Sequence, residues 1–223
     1  VWHLASLSNL NAAGVVHGEH EMVFHHPIPP QGTLVTEGAI AHCYDKGREK
    51  GALVVADFET RDAGGRRLFG TRATLFARLD GGYGGEDAPR QAQGIPDRAA
   101  DCEVGAVPAE DQPLVYRLSG DTFPLHVDPD FARAAGFERP IMHGLCTLGF
   151  ACRALVSRRC PGAPENVRRI GCRFTRPLYP GTAIRTLIWS TGEGRALWRV
   201  VKDSDGGVVI DNGIFEYGAP ART

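Results

Sequence analysis

An aspartate and a histidine stand five residues apart in Gly120-Asp121-Thr122-Phe123-Pro124-Leu125-His126, and a glycine follows at position 144 in Pro140-Ile-Met-His-Gly-Leu-Cys-Thr147. A carboxylate and an imidazole within reach of one water make a general acid–base pair, and histidine titrates in the neutral range such work needs. Pro124 restricts the loop and biases Phe123 to extended backbone, so both polar side chains can be aimed into one pocket. Gly144 lies where an apolar helix should begin. Its N–H then belongs to the unpaired donors of a helix N-terminus, and the missing Cβ lets a ligand come close. An acid–base pair with such a donor suits proton abstraction or water addition beside a carbonyl whose oxygen gains charge. On spacing alone other readings stay open: an Asp–His pair in a loop also serves as a cap or turn hydrogen bond, and a glycine also serves close packing of helix on sheet.

The elements that must position these residues are visible around them. Residues 80–113 form a compositional break, opened by Asp-Gly-Gly-Tyr-Gly-Gly-Glu-Asp-Ala-Pro and punctuated by Pro96, Pro108 and Pro113; such density of Gly and Pro favours a connecting segment. On either side the chain looks alike. His26-Pro-Ile-Pro-Pro-Gln-Gly-Thr33 leads into strand-like runs at 33–44, 51–60 and 67–79, and Arg176-Pro-Leu-Tyr-Pro-Gly-Thr182 leads into runs at 183–190, 195–202 and 208–217. Alternation of apolar and polar residues and the turn signals Ala63-Gly64-Gly65 and Asp205-Gly206-Gly207 support strands in both halves. We read this as an internal duplication.

The second half carries helices that the first lacks. Asp128 can cap, Pro129 fits a first turn and Gly136 can close a short helix over 129–135. After Pro140, Leu145, Leu148, Cys152 and Leu155 mark one stripe of a helix running to Arg159 and stopped by Pro161-Gly162. Tyr116–Ser119 reads as a short strand before the Gly120 turn. A long helix across a mostly antiparallel sheet is an α+β arrangement. The expected layout is an N-terminal repeat over 1–80, a linker over 81–113 and a C-terminal repeat over 114–223 that holds the chemistry.

Bulk properties exclude several classes. A formal net charge of −1 over 223 residues, with a pI near 6.8, argues against a generally basic nucleic-acid binder. No apolar run approaches the ~20 residues needed to cross a bilayer, and no signal peptide is read, so a soluble cytoplasmic protein without a membrane partner is expected. The six cysteines form no CxxC pair and read as buried small hydrophobes in a reducing compartment. His17, His20, His25 and His26 look like a metal cluster at first, but strand alternation would put His20 and His26 on one face and His17 and His25 on the other. No metal is assigned. Arg158-Arg159 and Arg168-Arg169 are read as solvating a helix end and a strand edge.

The stretches Tyr-Arg-Leu-Ser-Gly-Asp-x-x-Pro-Leu-His and Pro-Ile-Met-His-Gly-Leu-Cys-Thr resemble the MaoC-like, or hydratase 2, family of (R)-specific enoyl-CoA hydratases and dehydratases. The family loop Gly-Asp-x-Asn-Pro-(Leu/Ile)-His is matched at Gly120, Asp121, Pro124, Leu125 and His126. The resemblance implies a double-hotdog fold of two antiparallel sheets with a long central helix in the C-terminal repeat. It also implies reversible hydration of a trans-2-enoyl thioester with Asp121 and His126 as the catalytic pair and Gly144 as donor to the thioester oxygen. By the same resemblance the substrate is an acyl-CoA or acyl-carrier thioester and no cofactor is needed; an exposed edge strand in each sheet would favour a homodimer. Phe123 stands where the family has Asn; it and His143 are expected to shape the pocket. That departure keeps two rivals in view, an acyl-thioesterase of the same fold and a non-catalytic acyl-thioester-binding protein.

Overall fold

The computed structural model describes residues 10–11, 14–89 and 94–218. Among these residues there are nine strands: β1 (Val15–Phe24), β2 (Leu34–Asp45), β3 (Ala52–Asp62), β4 (Arg67–Ala77), β5 (Cys102–Ala106), β6 (Val167–Phe174), β7 (Ile184–Gly192), β8 (Arg195–Lys202) and β9 (Val208–Tyr217). Three α-helices lie between β5 and β6: α1 (Gln112–Tyr116), α2 (Pro129–Ala134) and α3 (Gly144–Arg159). The six strand runs read from alternation are therefore present as β2–β4 and β7–β9.

All nine strands join one sheet, in the order β2-β3-β4-β1-β6-β9-β8-β7-β5, every neighbouring pair antiparallel. The order is nearly palindromic: β2-β3-β4-β1 runs into β6-β9-β8-β7, so the duplication seen in the sequence is a duplication in space. The expected two separate sheets are corrected to one. The reason lies at the centre, where Glu19–Val23 of β1 pair with Arg169–Arg173 of β6 and close what would be two open edges. Inward residues face each other there, His20 opposite Cys172 and Met22 opposite Ile170. On the other face Arg169 pairs with Glu21 at 2.6 Å and Arg173 with Glu19 at 2.7 Å. These side chains are about a third exposed, so each pair adds roughly 0–1 kcal/mol and mainly fixes register.

Two further expectations change. The segment read as a linker contains β5, which pairs with β7 and caps that edge; its Glu103 reaches Arg185 at 2.7 Å. Tyr116–Ser119 is not a strand. Pro113 sits in the first turn of α1, the chain continues as a 3-10 turn over Arg117–Ser119, and Gly120 ends it at φ 111° with its N–H on the Arg117 carbonyl. A proline that can start a helix outweighed four residues of weak alternation.

The helices that support the site form for local reasons. In α2 the Asp128 carboxylate accepts from the N–H groups of Asp130 and Phe131, Pro129 opens the helix, and Gly136 follows at φ 87°. In α3 the buried face is Cys146, Thr147, Leu148, Ala151, Ala154 and Leu155, which packs on β6, β7 and β9. Small residues at 151 and 154 let the helix lie close to the sheet. Its floor is the largest core cluster, built on Trp198, Phe215, Ile184, Ile188, Val200 and Ile210. Among the described residues the first half has no α-helix, and that absence leaves its inner surface free to wall a cavity.

Candidate active site

The loop between α1 and α2 carries Asp121 and His126, the candidate acid–base pair. After the left-handed Gly120, the Asp121 carboxylate accepts the Phe123 N–H at 3.2 Å, a bond that holds the turn. Phe123 is extended, as the following proline requires, and Pro124–His126 make a single 3-10 turn. His126 is buried, with Nδ1 2.9 Å from the Ile141 carbonyl oxygen. A carbonyl only accepts, so Nδ1 carries the proton and Nε2 the lone pair. Burial, followed by the neighbouring His143, pushes the His126 pKa down to about 4. The ring is thus a neutral base at pH 7 with its tautomer fixed by the backbone.

Ile141 belongs to the segment that leads into α3. Met142 N–H bonds to the Leu178 carbonyl at 2.7 Å, which fixes the extended stretch, and the helix then starts at Gly144. As first residue of the helix, Gly144 has an N–H without an intrahelical partner, at the positive end of the dipole. The Phe174 ring lies against Gly144, so close that a Cβ built there would sit 3.2 Å from Cε1.

Asp121, His126 and Gly144 all line one cavity of about 520 Å³, a volume in the range of small-molecule sites. Its wall is mixed in origin. Val16, Gly18 and Phe76 come from the first half, Leu145, Phe174 and Val209 from the second. Arg78 and Arg176 add two cations, and Tyr116 a phenol whose pKa burial pushes up to about 12. The structure therefore brings three sequence-derived residues together and adds a wall that the sequence reading missed. Phe174 was missed because β6 itself went unread: Val-Arg-Arg-Ile-Gly-Cys-Arg-Phe alternates poorly.

The two residues expected to shape the pocket stand behind its wall. Phe123 packs away from the cavity, edge-on to Phe131 at 5.3 Å, in a small cluster with Leu125, Ala132 and Ile141. His143 is buried and lies flat on His126, ring centroids 3.8 Å apart, with Nε2 3.3 Å from the Asp121 carbonyl oxygen. It braces both catalytic candidates rather than the acyl space.

The histidines of β1 also move from their expected places. A bulge at Gly18 shifts register, so that His17 faces Leu75 and His20 faces Ala73 of β4. Both rings thereby turn inward, 5.1 Å apart and edge to face, where simple alternation would have separated them. Burial pushes His20 down to about 4 and His17, next to it, to about 3. His25 and His26 lie beyond the end of β1.

Family models locate this chain. Residues 91–211 match the MaoC like domain, and residues 3–79 match the MFE-2 hydratase 2 N-terminal domain. The chain belongs to the MaoC-like dehydratase family. Among its relatives, the 3-hydroxyacyl-thioester dehydratase Y of Mycobacterium tuberculosis is 43% identical over 220 residues, which are 96% of this chain and 76% of that one. A probable enoyl-CoA hydratase 2 of Dictyostelium discoideum is 38% identical over 204 residues, 90% of this chain and 69% of that one. A MaoC-like dehydratase of Phytophthora capsici superposes with a TM-score of 0.87 at 36% identity, covering 95% of this chain and 74% of that chain. Both the loop and the helix start described above fall inside the matched residues 91–211, and no helix among the described residues is long and apolar enough to cross a membrane.

Proposed function

We propose that this protein is a lyase that reversibly hydrates trans-2-enoyl thioesters to (R)-3-hydroxyacyl thioesters. The observation that carries the reading is the convergence of Asp121, His126 and the Gly144 N–H on one cavity. Names of its MaoC-like relatives, a 3-hydroxyacyl-thioester dehydratase and an enoyl-CoA hydratase 2, support the reaction class.

In the hydration direction a water is held between the Asp121 carboxylate and Nε2 of His126. Its oxygen adds to Cβ of the enoyl group, its proton passes to the pair, and the double-bond electrons move onto the thioester oxygen. That oxygen accepts from Gly144 N–H, a contribution of roughly 3–4 kcal/mol to the barrier for one well-placed donor. The pair then returns a proton to Cα, so the water is fully accounted for and nothing is oxidised or reduced. The reaction needs no redox cofactor or metal. The Phe123 ring packs against Phe131 of α2 and meets the His126 ring edge to face, centroids 6.3 Å apart, so it buttresses the base from behind.

The near-palindromic sheet supports a double hotdog in which α3 is the central helix of the second repeat and the first repeat, with no α-helix among its described residues, gives room to the acyl chain. The thioester is carried by CoA or by a carrier protein, with Arg78 and Arg176 as cations at the cavity. The long edge strand β2, exposed from Leu34 to Cys43, suits pairing in a homodimer. Incubation with crotonyl-CoA and longer enoyl-CoAs, following loss of the conjugated enoyl absorbance, tests the reaction. Hydration that disappears in Asp121→Asn is the expected result. Free thiol without hydration would replace this reading with a thioesterase, and tight thioester binding with neither product would replace it with a binding protein.

A further inference from the structure

Among the described residues, one group brings three candidate metal ligands together: Asp121, His126 and His143 each place a donor atom within 4.8 Å of the other two. We propose that these three side chains form a site for a divalent transition-metal ion of the zinc class, and that its occupancy switches the acid–base pair off. Two imidazoles and one carboxylate match the ligand preference of zinc, nickel, copper and ferrous iron. Three protein ligands with a further position open to water or substrate is the pattern of exchangeable zinc sites.

The decisive feature is how the two imidazoles are held. A metal-ligating histidine almost always gives its other ring N–H to a carbonyl or carboxylate, which fixes the tautomer and aims the lone pair. His126 Nδ1–H donates to the Ile141 carbonyl at 2.9 Å, and His143 Nε2–H points to the Asp121 carbonyl at 3.3 Å. Each ring therefore has one nitrogen spent on a carbonyl and one lone pair to offer. For His143 that is Nδ1, buried in a side chain only 2% exposed and without a hydrogen-bond partner.

In a tetrahedral site with metal–ligand bonds of about 2.0–2.1 Å, donors stand roughly 3.3 Å apart, so donors that now lie within 4.8 Å of one another must draw together, and the stacked His126 and His143 rings must turn for their in-plane lone pairs to meet on one ion. Asp121 and His126 line the cavity, which provides the entry path. A bound ion would consume the His126 lone pair and the Asp121 charge that the water needs.

The test uses the intact protein. Zn2+ titration by calorimetry and Co2+ uptake followed by visible d–d absorption should both report one ion per chain. His143→Leu and Asp121→Asn should each weaken Zn2+ binding by about 100-fold, whereas Cys43→Ser, at an exposed thiol, should leave it unchanged. Turnover of crotonyl-CoA should fall as Zn2+ fills the site and return with EDTA. Zn2+ binding that survives both His143→Leu and Asp121→Asn overturns the proposal, as does saturation of the site with turnover unaffected. The inhibitory part rests on the hydratase reading, and the calorimetric and Co2+ signals do not. A protein that binds as expected yet hydrates nothing would sink the proposed function and leave the metal site standing.

Discussion

Gly144→Ala adds a single methyl at the point where helix, cavity and Phe174 meet. The new Cβ would lie 3.2 Å from Cε1 and 3.3 Å from Cδ1 and Cζ of that ring, a few tenths inside the ~3.5–4.0 Å of relaxed carbon contacts. Two effects on folding oppose each other. Alanine favours helix over glycine by up to about 1 kcal/mol, while overpacking costs about 1–3 kcal/mol, so the net change in stability stays within about 2 kcal/mol. Catalysis has no such compensation, because the methyl takes the space through which a thioester oxygen must approach the N–H. Losing one oxyanion donor outright costs about 10²–10³ in kcat; here the N–H survives and its access is blocked, so a decrease in kcat/KM of about 30- to 300-fold is expected. The assay is steady-state hydration of crotonyl-CoA beside a thermal melt and circular dichroism on the same sample. A folded variant with wild-type kcat/KM would refute the assignment of Gly144 as oxyanion donor and, with it, the role of the α3 start.

Asp121→Asn and His126→Ala should each lower kcat by about 10²–10⁴ with little change in melting temperature for the first; retention of activity in either removes that residue from the mechanism. Phe123→Asn should lower the urea midpoint, because it replaces a ring packed on Phe131 with an amide in an apolar cluster, at a cost of about 2–4 kcal/mol; an unchanged midpoint would show that the ring contributes no packing. His20 is 6% exposed and its folded pKa is lowered from 6.5 to about 4. The unfolded chain therefore takes up the proton first as pH falls, and the stability present above pH 6.5 is lost towards pH 4, by about 2 kcal/mol between pH 7 and pH 5. His20→Leu should flatten that part of the stability–pH curve in chemical denaturation; an equally steep curve in the variant would place the dependence elsewhere.

What was legible in the sequence was local. The Asx cap at Asp128, the span of α3 and the strand runs of β7–β9 depend on neighbours a few residues apart, and they formed where expected, although the buried face of α3 keeps only Leu148 and Leu155 of the expected stripe and adds Cys146, Thr147, Ala151 and Ala154. The errors come from tertiary choices. Tyr116–Ser119 reads like a strand but follows Pro113, which starts a helix that the chain continues. Whether two repeats make two sheets or one depends on whether β1 and β6 meet, which no local pattern reports. One inserted residue at Gly18 reversed the facing of His17 relative to His20. Of the cavity lining, Asp121, His126 and Gly144 were readable because they lie in short motifs. Phe174, Arg78 and the wall from the first half were not, since they join the cavity through pairings across the whole chain.

The site depends on one extended stretch more than on any single catalytic side chain. Residues 140–144 pass between the acid–base loop and the helix, and Met142 N–H anchors them to the Leu178 carbonyl. From there the Ile141 carbonyl fixes the proton on Nδ1 of His126, His143 stacks on that ring and reaches back to Asp121, and Gly144 presents the first N–H of α3. Base tautomer, base orientation and oxyanion donor are therefore set by consecutive residues of one strap, whose position is fixed from outside the loop that carries Asp121. A shift of the strap by about 1 Å would misalign base and oxyanion donor together, a displacement of the size that can cost about 10²-fold in rate. Variants that loosen the Met142–Leu178 contact should thus lower kcat without touching Asp121 or His126.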